Sequence, residues 1–471
     1  MALTLSYLGH VMSCVLVHDA DDEILKCQCP LDLVQKYNGL LELADEKIHI
    51  FPFSDVQLCW FRLYTDASVV KAVKILEEYW NIGTNVVLDE AISALDMALI
   101  MAGGLGRQDL IQDMLTTIQK HVDTDSHEAD DPRKRRGLGD GRGKSKSRQL
   151  LPDDPVSIPK IWFPVPAIAA PSLEDFQKHL YDRKDPVILN GALNHWPALL
   201  KWRKVSFWED LTLGGSRLVP VELGRSYVDN GWGQEILPFK QFLNDYILHH
   251  PASRDSRTGY LAQHDLFKQI PALHADIATL DYCYLDAPPP AAGTPLALAK
   301  SGKTQQLSHP STLPQPKAQP AEQSSAGSEV QTNIWFGPAW TISPLHHDPY
   351  HNILCQVVGK KYLRLYSPHH SSKLQPMSNS VSAPHLIDAS GDLTIDMSNT
   401  SSIDIAAMEL SPHQDWNDTY PNISEVPYVE CVLEAGQALY IPIGWWHYAS
   451  NIRAVTGAIY AMDFVTLART T

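Results

Sequence analysis

The chain contains no uninterrupted apolar run of about 18 residues, the length that a membrane-crossing helix needs. Its apolar start, Met1 to Val17, carries no lysine or arginine, so it lacks the basic region of a secretory signal and reads as a buried helix or strand. The Asn-x-Ser/Thr triplets at Asn399, Asn417 and Asn422 are then incidental. Cysteine is scarce, with seven in 471 residues. Cys27 and Cys29 stand close, but there is no Cys-x-x-Cys pair and no zinc-ligand spacing, a pattern of reduced thiols in an intracellular protein rather than a disulfide or metal framework. Basic charge is also short: 38 Lys and Arg against 54 Asp and Glu leave a net charge of −16. That balance argues against a general nucleic-acid binder and leaves basic protein substrates open.

What is present divides into three stretches. Residues 1–123 read as a helical domain. Asp66 is placed to cap a helix whose Val69, Val73, Leu76 and Trp80 recur at helical spacing. Ile92, Leu95 and Leu99 form a second stripe ended by Gly103-Gly104, and Leu110, Ile111, Met114, Leu115 and Ile118 form a third. No chemistry is visible there, so an interaction or stabilising role is expected. Residues 124–158 read as a basic, disordered linker, in which Arg133-Lys134-Arg135-Arg136 resembles a nuclear localisation signal as much as a solvated linker.

From 159 to 471 the chain reads mainly as β. Short apolar runs recur at Pro186–Leu189, Leu218–Glu222, Asn352–Val358, Tyr362–Tyr366, Tyr428–Leu433, Ala438–Ile441 and Thr456–Phe464. The two runs around Gly359-Lys360 predict a hairpin, and the series predicts a sandwich or jelly-roll barrel. Residues 286–329, rich in Pro, Ala, Ser and Gln, read as a disordered insertion, and 369–427 as a long polar loop.

The chemistry lies in Ser343-Pro344-Leu345-His346-His347-Asp348, answered about a hundred residues later by Trp446-His447. Two imidazoles and one carboxylate can occupy one face of an octahedral Fe(II) and leave three positions open. His346 and Asp348, two apart, would point the same way on a strand. Asn352 and Lys361 follow on the predicted hairpin. A lysine inside a barrel is costly unless it meets an anion, and Ser343 and Tyr260 add hydroxyls.

These motifs resemble the JmjC-domain oxygenases, in a stretch from about 160 to 465. The resemblance rests on Pro186-Val187-Ile188-Leu189 with His195-Trp196-Pro197, Asn333 to Pro338, Ser343 to Pro349, Gly359-Lys360-Lys361-Tyr362, and Gly436 to Pro442 before Trp446-His447-Tyr448. Gly259 to His264 and Trp60 to Ala67 are similar to the JmjC-domain protein 5 subgroup, the lysine demethylase 8 type. The resemblance implies a double-stranded β-helix (jelly-roll, cupin-like) catalytic domain behind an α-helical N-terminal domain. It also implies Fe(II) held by His346, Asp348 and His447, and 2-oxoglutarate held by Lys361 with Tyr260, Asn352 and Ser343. Glu222 and Trp335 match positions that hold a substrate guanidinium. His347 is at the variable position and is expected to point away from the metal. The subgroup's last strand carries paired tryptophans; here it reads Ala458 to Phe464 with none, and Tyr460 is the aromatic available.

The resemblance implies an O2-consuming hydroxylase of arginine or another basic side chain, with histone and ribosomal proteins among the candidate partners, acting in nucleus or cytoplasm. A methyl-lysine demethylase and a non-catalytic binding protein on the same fold are the rival readings. No cysteine-rich chromatin-reading module accompanies the domain, which weighs against the first rival. A scaffold has no need for the triad plus Lys361, which weighs against the second.

Overall fold

The computed structural model describes residues 3–29, 31–51, 55–82, 85–129, 159–228, 231–248, 258–262, 264–306, 330–377, 397–452 and 460–468. The expected linker, from 130 onward, and the expected insertion, from 307 onward, lie outside the described residues. The chain forms two compact units. One takes Met1–Gln149 with Ser206–Pro220 and Ile236–Phe242; the other takes Leu150–Val205, Val221–Glu235 and Leu243–Thr471.

The first unit is built on helices α1 (Leu5–Leu16), α2 (Leu33–Ile50), α3 (Leu58–Ile82), α4 (Asn85–Ala102) and α5 (Gln108–Ala129). Thr4 caps α1 by accepting the Tyr7 N–H at 3.2 Å, and Tyr7, Leu8, Val11 and Val15 bury one face of it. The stripes legible in sequence are the core: Val69, Val73 and Leu76 on α3, Ile92, Leu95 and Leu99 on α4, and Ile111, Met114, Leu115 and Ile118 on α5 are all buried. Asp66, however, is not a cap. Helix α3 starts at Leu58, and Asp66 lies wholly buried in its interior. Its carboxylate takes the Arg62 Nε–H at 3.2 Å and the Arg107 Nε–H at 3.0 Å. An aspartate ahead of an apolar stripe looks the same whether it caps or pairs; two arginines four and forty-one residues away decide it.

The second unit contains two main sheets. Its strands and those of a small third sheet are β1 (Ala167–Ala169), β2 (Val187–Asn190), β3 (Leu218–Leu223), β4 (Gly233–Pro238), β5 (Gly259–Tyr260), β6 (Gln331–Pro338), β7 (Ile342–His347), β8 (His351–Val358), β9 (Lys360–Tyr366), β10 (Tyr428–Glu434), β11 (Gln437–Ile441), β12 (Trp446–Asn451) and β13 (Tyr460–Ala468). The large sheet has the order β1-β2-β11-β8-β13-β6, the four-stranded sheet β10-β9-β12-β7, and the small one β4-β3-β5. Ile188, Leu354, Leu439 and Ile441 of the large sheet share one core with Leu363, Leu365, Leu433 and Ala449 of the four-stranded sheet, so these two sheets face each other. Burying each such side chain contributes on the order of 2 kcal/mol.

Strands β8 and β9 are not a hairpin. β8 pairs with β11 and β13, while β9 pairs with β10 and β12. The connecting Gly359 has φ +77°, a conformation that glycine adopts without strain, and there the chain crosses from one sheet to the other. Within the polar stretch 369–427, helix Ile405–Leu410 is capped by Asp404, and Thr400 bridges to His346. Helix Pro295–Gln306 lies in the proline- and alanine-rich stretch.

Behind β8, His351 is buried, with Nδ1 2.8 Å from the Tyr440 hydroxyl and Nε2 2.9 Å from the Pro288 carbonyl. Burial pushes this imidazole down to about 4 from 6.5. The unfolded chain therefore takes a proton below pH 6.5 while the folded one does not until about 4, so stability falls as the pH drops through that window. The loss is expected to reach about 2 kcal/mol at pH 5. Urea denaturation at pH 7 and pH 5 should show a loss larger by about this amount in the native chain than in His351→Gln.

Candidate active site

Strand register places the predicted residues. In the four-stranded sheet His447 stands opposite both His346 and Leu365, Ala449 opposite Ser343 and Leu363, and Asn451 opposite Lys361. Opposed residues share a face, so His346, His447, Ser343 and Lys361 lie on the face whose Leu363, Leu365 and Ala449 join the intersheet core. Ser343 and His346 are three apart and would ordinarily face opposite ways. The bulge where β7 meets His447/Ala449 puts them together. His347 turns to the other face, edge-on to Trp446 with ring centroids 4.6 Å apart.

Asp348 follows directly after β7. Ligand atoms of His346, Asp348 and His447 lie within 4.8 Å of one another. His346 Nδ1 is 2.7 Å from the Pro344 carbonyl and His447 Nδ1 is 3.1 Å from the Trp445 carbonyl. Backbone carbonyls thus fix both rings and leave each Nε2 as the donor atom, the usual arrangement around a bound metal. His447 Nε2 is 3.6 Å from the Asp348 carboxylate. Burial, then the neighbouring His346, push His447 down to about 4, which keeps it neutral and able to ligate at physiological pH. Burial pushes Asp348 up, but the fields of His346 and His447 and the Asn352 hydrogen bond together hold it below the usual carboxylate range. Two imidazole nitrogens and one ionised carboxylate fit a divalent iron.

Asn352 Nδ2 donates to Asp348 at 2.6 Å, so this residue also orients the carboxylate. Its own Oδ1 is buried with no hydrogen-bond partner. Lys361 is buried, 3% exposed, four residues along β9 from Leu365.

Glu222, Tyr260 and Trp335 come from three strands in succession. Glu222 stands opposite Tyr260 across β3 and β5, and Leu261 exchanges two 2.9 Å backbone hydrogen bonds with Phe336, beside Trp335. The Tyr260 ring packs so close to Gly337 that a Cβ there would lie 2.6 Å from it and 2.8 Å from Thr341 Oγ1. Gly337→Ala is expected to cost about 1–3 kcal/mol, read as a lower urea midpoint, because neither neighbour is a loose side-chain end. Glu222 accepts a hydrogen bond from Trp232 Nε1 at 3.5 Å, and burial raises its carboxyl. Among the described residues no lysine or arginine stands within 4.0 Å of it. The side chain of Tyr460 lies outside the described residues.

Sequence reasoning missed three neighbours. Tyr227 is pushed up to about 12, chiefly by burial, with Asp348 and Glu222 adding to it, and its hydroxyl is 3.5 Å from Thr400 Oγ1. Thr400 pairs with His346, and Trp232 holds Glu222. Tyr227 and Thr400 meet across 173 residues, which no local pattern reveals, and Trp232 reaches Glu222 ten residues back across a loop.

A His-x-Asp…His triad on a sheet's inner face, with a buried lysine further along it, is the arrangement expected of a 2-oxoglutarate-dependent oxygenase. Comparison with known proteins agrees. Residues 173–462 match the cupin-like domain family. Lysine-specific demethylase 8 of Xenopus tropicalis is 36% identical over 284 residues, 60% of this chain and 49% of that protein. Lysine-specific demethylase JMJ30 of Arabidopsis thaliana is 30% identical over 87% of this chain and 82% of its own length. Jumonji C domain-containing protein 5 of Drosophila melanogaster is 29% identical, over 88% and 82%. The chain belongs to the cupin-like JmjC-domain family. It spans about half the length of the frog relative and over four fifths of the other two. Among the described residues, no helix is long and apolar enough to cross a membrane.

Proposed function

We propose that the chain is an Fe(II)- and 2-oxoglutarate-dependent hydroxylase of a protein side chain, arginine or another basic residue, built on a double-stranded β-helix whose halves are the two facing sheets. The observation that carries the substrate class is Glu222, a half-buried carboxylate with an indole N–H for company and no cation within 4.0 Å among the described residues. A guanidinium or ammonium would supply the missing charge, and the Trp335 ring would add a cation–π face.

His346, Asp348 and His447 would hold the iron. Iron with 2-oxoglutarate bound supplies the oxygen activation that inserts an oxygen atom into a C–H bond. Lys361 would pair with the distal carboxylate of 2-oxoglutarate, with the Ser343 hydroxyl on the same sheet face and Tyr260 and Asn352 contributing from neighbouring strands. Leu363, Leu365 and Ala449 keep water from that salt bridge and so strengthen it. Tyr227 stands between the fields of Asp348 and Glu222, at the junction of the metal and the basic side chain. The partner is a protein with exposed basic residues, histone or ribosomal, met in nucleus or cytoplasm, and the helical unit serves as an interaction module.

A second reading, methyl-lysine demethylation, is favoured by the names of the frog and Arabidopsis relatives. Hydroxylating an N-methyl carbon on the same iron would release formaldehyde. Mass spectrometry of arginine and methyl-lysine peptide libraries, incubated with iron, 2-oxoglutarate and the protein, separates the two. A gain of one oxygen atom on an unmethylated peptide is expected. Loss of a methyl with formaldehyde would make the chain a demethylase. Turnover of neither peptide nor 2-oxoglutarate would leave a binding protein.

A further inference from the structure

The face of the four-stranded sheet that turns away from the triad carries a second cluster. Alternation along β9 and β12 puts Tyr362, Arg364 and Tyr448 opposite in direction to Lys361, Leu363 and His447, with Tyr448 directly across from Arg364. A cleft of about 980 Å3 lies over these residues, walled by Glu409 of helix Ile405–Leu410, by Trp416 and by Trp162. Its volume suits a ligand of peptide-segment size.

The charges in this cleft differ in what they already touch. Glu430 is used by the fold: it accepts the Trp162 and Phe163 backbone N–H groups at 2.6 and 3.4 Å and the Tyr362 hydroxyl. Arg364 is committed to the floor, with Nε donating to the Tyr362 hydroxyl at 3.0 Å and the guanidinium 4.6 Å over the Tyr428 ring. Glu409 accepts the Tyr448 hydroxyl at 3.0 Å, and among the described residues no cation lies within 4.0 Å of it. Burial raises its carboxyl to about 7 against the opposing field of Arg364. With Glu409 ionised, the formal charges of Arg364, Glu409 and Glu430 leave the interior at minus one, and the aromatic ring faces add negative potential. At the rim, Lys160 sits 3.6 Å over Trp162 and Arg225 is paired with Asp404 at 2.9 Å. An anion reaching Arg364 would have to sit beside two carboxylates and several ring faces, whereas a cation meets Glu409, a carboxylate with the Tyr448 hydroxyl as its close partner and no cation within 4.0 Å among the described residues.

We propose that this cleft is a second, non-catalytic docking site that takes a lysine or arginine side chain of a basic protein against Glu409, Tyr448 and Trp416. The site lies on the opposite face of the triad's own sheet, so it can hold one basic residue of a partner while another part of that partner reaches the triad. It does not depend on the reaction proposed above.

The test is fluorescence anisotropy with the full chain and a labelled peptide of alternating lysine and glycine, against a glutamate–glycine counterpart. The lysine peptide should bind and the glutamate peptide should not. Glu409→Gln, which keeps an acceptor for Tyr448, and Trp416→Ala should each weaken binding about tenfold, while Asp348→Ala leaves it unchanged. Carbodiimide coupling of the bound lysine peptide should place the cross-link on Glu409. Undiminished binding in both cleft variants, or loss in Glu222→Gln alone, would overturn the proposal. Preference for the glutamate peptide would do the same and make Arg364 the anchor. Binding seen only after Arg133, Lys134, Arg135 and Arg136 are replaced by serine would overturn the partner and give the cleft to this chain's own basic run.

Discussion

Asp348→Ala is expected to lower 2-oxoglutarate turnover at least about a thousandfold while the fold persists. Partners that merely orient a metal ligand cost roughly 10–100-fold when removed, and loss of the one anionic ligand must cost more. Asn352→Ala supplies the comparison within the same site. It removes the 2.6 Å hydrogen bond that aims the Asp348 carboxylate and leaves the ligand in place, so it belongs in the 10–100-fold range. The fold should survive Asp348→Ala because Pro344 and Trp445 carbonyls, not Asp348, hold the two rings. Succinate formation measures turnover. Cobalt(II) titration followed by its visible absorbance measures the site without relying on the reaction. Asp348→Ala binding cobalt as tightly as the native chain would remove this carboxylate from the metal site.

The triad was legible because its residues carry their chemistry in their identity: a His-x-Asp on one apolar strand and a His beside Trp446 are visible without knowing the fold. What brings them together was not. The bulge in β7 that lets Ser343 share a face with His346 leaves no composition signal, and Pro344 hints at irregularity without giving its direction. Two apolar runs around Gly359-Lys360 read alike for a hairpin and for a crossing between sheets, since periodicity reports which residues are buried and not against which strand. Most of the helical stripes of the first unit are core, because helix periodicity is local; Leu110 is half-buried, and the Trp80 side chain lies outside the described residues. The start of α3 did not, because the partners of Asp66 lie on both sides of it in sequence. Helix Pro295–Gln306 stands where alanine and leucine are mixed with proline and serine, and composition averaged over the segment hides it. Tyr227 and Thr400 are set by contact with each other across 173 residues and had no signal to find.

Asp96→Ala is expected to be the most destabilising single change, costing about 3–5 kcal/mol. Asp96 on α4 is wholly buried, and Arg217, 121 residues later, is 3% exposed. The guanidinium reaches both carboxylate oxygens, Nε at 2.8 and 2.9 Å and Nη2 at 2.7 Å, and the Leu218 N–H adds a further bond at 2.8 Å. Both residues belong to the first compact unit, which thus draws part of its core from a segment well outside its helices. Removing the carboxylate strands a guanidinium that has no water to turn to, along with the Leu218 N–H. Replacing the pair is a different matter. Desolvating two ions offsets much of their attraction, so Asp96→Leu with Arg217→Met should recover most of the loss, even though it abolishes the ion pair. Urea denaturation of the two single variants and the double one measures this. A double variant as unstable as the sum of the two single ones would mean that the residues act independently, and would overturn the account of a stranded charge.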